Sequence, residues 1–173
     1  RRRGQAARQI ATVRAPKRQT NPTEKGAAVL TVEEIQMVFE QGLPASKEWG
    51  LLVESASPEG KARVRYCFRP DMIRPGGTLS GPTMMALADA AMFASILGRL
   101  GRLEMAVTTN LNINFLRRPA PADLIAESSI LKLGKRLAVL EVSLFSATDD
   151  PESIEPVAHV TGTYSLPPTL VPR

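Results

Sequence analysis

The stretch Gly81–Gly98, GPTMMALADAAMFASILG, decides the fold. Pro82 suits the first turn of a helix. The residues after it are strong helix formers, apolar on nearly every face, and a helix apolar all round is a buried helix. A single charge, Asp89, interrupts it. Such a helix needs a surface to cover it, and its flanks supply strands. Leu51–Ser55 and Ala62–Phe68 read as two strands joined by a turn at Pro58-Glu59-Gly60. Past Gly101, the residues Met105, Val107, Thr109, Leu111, Ile113 and Phe115 alternate with Ala106, Thr108, Asn110, Asn112, Asn114 and Leu116, a long strand at period two. Arg117-Arg118-Pro119-Ala120-Pro121 ends it. Leu124–Lys132 and Leu137–Ser146 follow, with a tight turn at Gly134-Lys135-Arg136, and Val157–Ser165 is a last strand. Ahead of them all, Thr31–Glu40 reads as a helix in which Thr31 and Glu34 form a capping box. Loops are expected from Pro44 to Gly50, from Arg69 to Gly77 and from Asp149 to Pro156. Strands joined by short turns pair antiparallel. The predicted class is α+β, a curved antiparallel sheet wrapped around a long central helix.

The chain has 173 residues, 43% hydrophobic and 23% charged, enough for one domain with a substantial core. Its one cysteine, Cys67, excludes an intrachain disulfide framework and a multi-cysteine zinc site. Its one histidine, His159, excludes any site that needs two. The chemistry must rest on carboxylates, backbone amides or hydroxyls, with no metal and no cofactor expected. Cys67 alternates with Tyr66 and Phe68 in a predicted strand and has no histidine near it in sequence, so it reads as a small strand residue.

The net charge of +5 is unevenly spread. Residues 1–25 hold eight Lys/Arg and one acid, while residues 26–173 hold fourteen bases and sixteen acids. Residues 1–30 contain no aromatic residue and read as a flexible basic tail. Sharper readings are an organelle leader, a tether to nucleic acid or an anionic surface, and translated upstream sequence. A domain is expected over 31–168 and a short tail over 169–173, in which Leu170-Val171-Pro172-Arg173 matches a thrombin recognition sequence. No eighteen-residue apolar run free of charge occurs, so no membrane span is expected, and a cytoplasmic location is.

Asp89 is the residue to explain. A buried, unpaired carboxylate is costly, so it must be paired or titrate abnormally. Its own helix supplies no cation. It is either a general base or nucleophile, or a structural carboxylate hydrogen-bonded across a subunit contact. The approach to the helix, Gly76-Gly77-Thr78-Leu79-Ser80-Gly81-Pro82, is glycine-rich. Free N–H groups at a helix N-terminus suit a developing oxyanion. Asp89 stands nine residues after Ser80, about two turns along. A donor at the helix start and a carboxylate deeper in suit attack on a carbonyl.

From about Trp49 to Ser165 the sequence resembles the hotdog-fold acyl-CoA thioesterases of the phenylacetic-acid-degradation type. That family's motif is Asn, five intervening residues, His-Gly-Gly, and Asp nine residues after the His. The matching positions here are Arg74, Ser80-Gly81-Pro82 and Asp89, at the same spacing. Asn114-Phe115-Leu116-Arg117-Arg118-Pro119 and Gly162-Thr163-Tyr164-Ser165 resemble two of the family's strands. The resemblance implies hydrolysis of an acyl-CoA to a carboxylic acid and coenzyme A. It makes Asp89 the nucleophile or the base that activates water, and the Gly81 amide the oxyanion donor. It puts Thr109 where some members hold the water with a hydroxyl. It further implies a homodimer at least, or a homotetramer, with the carboxylate and the oxyanion donor coming from different subunits. Arg117-Arg118 and Gly134-Lys135-Arg136 are candidates for the coenzyme A phosphates, or solvated charges. Three positions depart from the motif. Pro82 has no N–H to donate. Arg74 pairs with Asp89 or binds the substrate's carbonyl or a carboxylate, and Ser80 replaces the histidine. Those departures keep a second hypothesis open, a protein that binds an acyl-CoA or acyl ligand without hydrolysing it. The Met84, Met85, Met92, Phe93 and Phe115 set could line an aliphatic or an aromatic pocket, or be core. His159, on the last strand, reads as a sheet or rim histidine rather than a catalytic one.

Overall fold

A computed structural model of the chain describes residues 29–147 and 155–168. The expected basic tail up to residue 28, the loop over 148–154 and the segment 169–173 lie outside the described residues. The elements run α1 (Val32–Gly42), α2 (Ala45–Glu48), β1 (Leu51–Ala56), β2 (Lys61–Tyr66), β3 (Ile73–Arg74), β4 (Thr78–Leu79), α3 (Gly81–Leu100), β5 (Val107–Phe115), β6 (Leu124–Leu133), β7 (Leu137–Ser146) and β8 (Ala158–Ser165).

The six long strands form one sheet in the order β1-β2-β6-β7-β8-β5, and each neighbouring pair is antiparallel. The sheet curves around α3, as the apolar helix demands. Ser80 caps α3, its Oγ accepting the Thr83 N–H at 3.4 Å. Gly101, at φ 77°, ends it, its N–H returning to the Leu97 carbonyl at 2.9 Å. Leu87, Met92, Ile96 and Leu97 are wholly out of water. Burying a side chain of this size contributes about 1.5–3 kcal/mol. Where sheet and helix approach most closely the sequence is small. A Cβ added at Gly162 of β8 would lie 2.5 Å from Met92 Sδ, and one at Gly98 would lie 3.2 Å from Ala56 Cβ. By length and composition α3 could cross a membrane, but 61% of its most apolar window is buried inside the protein, where it serves as the core.

Most expectations meet the structure within two residues. The strand expected to contain Cys67 stops at Tyr66, so Cys67 lies just beyond β2. Two expected loops hold short elements. Ala45–Glu48 forms one helical turn, and Pro70–Leu79 forms a 3₁₀ turn followed by the β3–β4 hairpin. Elements of two to four residues carry no readable period.

The two edges of the sheet differ. At β1, the Gln36 side chain of α1 donates to the Leu51 carbonyl at 3.1 Å and accepts from the Val53 N–H at 3.0 Å. It occupies positions that a further strand would take. At β5 no strand among the described residues covers the edge, and Val107 and Phe115 are 55% and 53% exposed.

Candidate active site

Asp89 lies at the middle of α3, half-buried, on the side of the helix that looks toward β5 and the end of β8. Two hydroxyl groups meet its carboxylate. Thr108 of β5 donates to Oδ1 at 2.6 Å, and Tyr164 of β8 donates to the same oxygen at 2.7 Å. Tyr164 Oη also lies 3.1 Å from the Asp89 main-chain carbonyl. Burial, and then the adjacent carboxylate charge, hold the Tyr164 phenol far above its ordinary pKa. It stays a neutral donor.

A β-bulge selects the threonine. Thr108 pairs with Tyr164 while Asn110 pairs with Thr163, so Thr109 is the extra residue. Strict alternation back from Leu111 puts Thr109 on the inward face. The bulge shifts the phase by one residue and brings Thr108 inward instead. Thr109 Oγ1 donates to the Thr163 carbonyl at 3.0 Å, away from Asp89. Within the chain, Thr108 rather than Thr109 is the threonine that meets Asp89.

Beside this cluster opens a cavity of about 760 Å³, bounded by α1, α3, β2 and the start of β5. Its wall is apolar and largely aromatic, built from Phe39, Trp49, Leu51, Tyr66 and Phe93, with Asp89, Thr108 and Tyr164 at its polar part. Phe93 packs edge-on to Phe39 at 5.7 Å and is stacked with Tyr164 at 6.3 Å. Of the residues weighed as a pocket lining, only Phe93 faces this cavity. Met84 and Met92 are core, and Met85 and Phe115 are exposed.

The start of α3 offers one free donor. Ser80 spends its side chain on Thr83, and the Met84 N–H goes to the Ser80 carbonyl at 3.3 Å. Pro82 has no N–H. Among the described residues, that leaves the Gly81 N–H without an acceptor, an orphan of the kind that binds anions at helix N-termini. Phe115 lies over it, its ring 3.2 Å from where a Gly81 Cβ would stand. Gly81 and Asp89 are eight residues apart on one helix, about 12 Å by the helical rise. One chain does not bring these two groups to one substrate carbonyl.

The remaining predicted residues are spread out. Arg74 ends β3 on the surface and forms no ion pair among the described residues, and the partners of Asp89 are hydroxyls. Arg117 bonds Glu155 at 2.8 Å and the Pro156 carbonyl at 3.2 Å, with Arg118 exposed beside it. These two follow the end of β5 near Gly81. The exposed turn Gly134-Lys135-Arg136 stands at the opposite end, where Leu137 pairs with Ser165 and Ser165 pairs with Val107. His159 is on the outer face of the sheet, 3.7 Å from Glu141, away from Asp89. Sequence reasoning missed Tyr164 and Thr108. The inward phase of Tyr164 was readable from period two, but its meeting with α3 was not.

Comparison with known proteins converges on one family. The sequence profile of the thioesterase superfamily matches residues 76–152. A candidate esterase of Halobacterium salinarum is 30% identical over 122 residues, which span 68% of this chain and 79% of that protein. The crystal structure of a candidate thioesterase from a Silicibacter species superposes with a TM-score of 0.70 at 34% identity, covering 83% of this chain and 97% of that one. A variant of the phenylacetic acid degradation protein PaaI from Thermus thermophilus superposes with a TM-score of 0.60 at 28% identity, covering 70% and 97%.

Proposed function

The chain belongs to the thioesterase superfamily, hotdog-fold hydrolases of thioesters, and from that premise we propose that it cleaves an acyl-CoA using Asp89 as nucleophile or as the base that activates water. The observation that carries this reading is the held carboxylate of Asp89 beside a cavity of apolar lining. The cavity takes the acyl chain. Among the described residues its lining holds no cation and two carboxylates, Asp89 and Glu104, so it suits an acyl chain without an anionic group. Attack at the thioester carbon forms a tetrahedral oxyanion, the C–S bond breaks, and coenzyme A leaves as the thiol after protonation. Water supplies the oxygen of the acid, directly or by opening an acyl–carboxylate anhydride.

The oxyanion donor in this reading is Gly81 of a second copy. The open edge of β5 pairs antiparallel with itself about a two-fold axis near Leu111. That axis sets Val107 and Thr108 of one copy beside Phe115 of the other, and Phe115 lies on Gly81. The same axis draws Arg117 and Arg118 of one copy toward the Gly134-Lys135-Arg136 turn of the other. Basic groups far apart in one chain then flank one site, as the phosphates of coenzyme A require.

The test is thiol release from short, medium, long and aromatic acyl-CoAs by the parent and by Asp89→Asn. The expected result is turnover that falls at least ~100-fold in the variant. Absence of turnover on every acyl-CoA, with stabilisation by the same ligands, would favour the non-hydrolysing acyl-CoA binder.

A further inference from the structure

We infer that Tyr164 is a positioning residue which, together with Thr108, holds Oδ1 of Asp89 and leaves Oδ2 as the reactive oxygen. The inference rests on the carboxylate reading above. A carboxylate has two equivalent oxygens and can rotate to present either. Here both donors converge on one of them, at 2.6 and 2.7 Å, the short range of O–H···O⁻ bonds. Each hydroxyl has a single proton to give. The second contact of Tyr164, to the main-chain carbonyl, is longer at 3.1 Å and comes second to the charged acceptor. Oδ2 receives no donor among the described residues. A carboxylate oxygen whose lone pairs are engaged by two donors is a poorer nucleophile than a free one, so the two oxygens of Asp89 are chemically distinct.

Tyr164 is the firmer of the two holders. It is 3% exposed, its strand β8 is paired on both sides, and its ring is stacked with Phe93 at an interplanar angle of 12°. Phe93 stands four residues after Asp89, one turn along the same helix. Helix and phenol are therefore locked to each other through the neighbouring turn, and the hydroxyl is fixed relative to the carboxylate it holds. Thr108 sits on the edge strand and depends on the bulge for its aim.

The test is steady-state thiol release by Tyr164→Phe, Thr108→Val and Asp89→Asn, with melting curves for each. Tyr164→Phe keeps the ring and its stacking and removes only the hydroxyl. Its kcat is expected to fall roughly 10- to 100-fold with KM within about threefold, the pattern of a misaligned reacting group rather than a lost binding contact. Thr108→Val is expected to show the same kcat-only loss, smaller in size, and it serves as the test should Tyr164→Phe fail to fold. Parental kcat in both folded variants, with Asp89→Asn inactive, overturns this inference and leaves the carboxylate mechanism standing. A raised KM at unchanged kcat also overturns it, making Tyr164 a pocket wall. Parental turnover by Asp89→Asn would instead bring down the mechanism on which the inference rests.

Discussion

The chain's two tyrosines, Tyr66 and Tyr164, both line the cavity beside Asp89. Burial pushes the pKa of each phenol up, and the negative charge of Asp89 adds to the shift in both. A free tyrosine titrates near pH ~10, so above that the unfolded chain loses protons that the native state keeps. The stability from these groups is fully present below about pH 10 and is lost as pH rises toward the raised native values. An ultraviolet titration is expected to show no phenolate in the folded protein where free tyrosine ionises, and then both phenolates appearing as the fold is lost. In Asp89→Asn the Tyr164 phenol should ionise at lower pH. A phenol titrating near pH ~10 in the folded parent would contradict the buried hydroxyl arrangement. Asp89 was legible at this scale because it is the only charge within Gly81–Gly98. Thr108 was not, because a bulge of one residue leaves no mark in an alternating sequence.

Among the elements, α1 shows how a side chain can stand in for a strand. Thr31 and Glu34 form the capping box their spacing predicts, at 2.8 and 3.3 Å. Ile35, Val38 and Phe39 turn inward, and Phe39 walls the cavity. Gln36 is the added device, since its amide satisfies the edge of β1 that α1 covers. Gln36→Ala strands the Leu51 carbonyl and the Val53 N–H in a half-buried place. At about 0.5–1.5 kcal/mol per hydrogen bond, chemical denaturation should show a loss of roughly 1–3 kcal/mol. A change within experimental scatter would mean that water replaces the amide without cost. The Gln36 contact spans fifteen residues to Leu51, and no local pattern announces it. The long strand β5 was readable because a sheet with one buried face favours alternation between bulges.

At the scale of the whole molecule the sheet has one guarded edge and one that is open among the described residues, and the open one borders Asp89. Asn110 and Asn112 stand exposed on β5, and the two-fold pairing proposed above would set Asn110 of one copy opposite Asn112 of the other. Replacing both with lysine places like charges across that seam while the single chain stays tolerant of them. Sedimentation is expected to show a dimer for the parent and a monomer for Asn110→Lys/Asn112→Lys, with thiol release lost alongside. A parent that sediments as a monomer and turns over fully would refute the shared site.

The apolar run through α3 and the period-two alternation of β5 were written in residue order. Burial period is a local property, and it dictated a covered helix and an antiparallel sheet before any coordinates. The lone carboxylate in that helix and the glycine at its start could be picked out in the same way. Two things needed the folded chain: the partners of Asp89 and the edge of β5 that no described strand covers. Each depends on the relative placement of residues far apart in sequence, where a one-residue slip in a ladder or a single glutamine across a gap reverses the outcome.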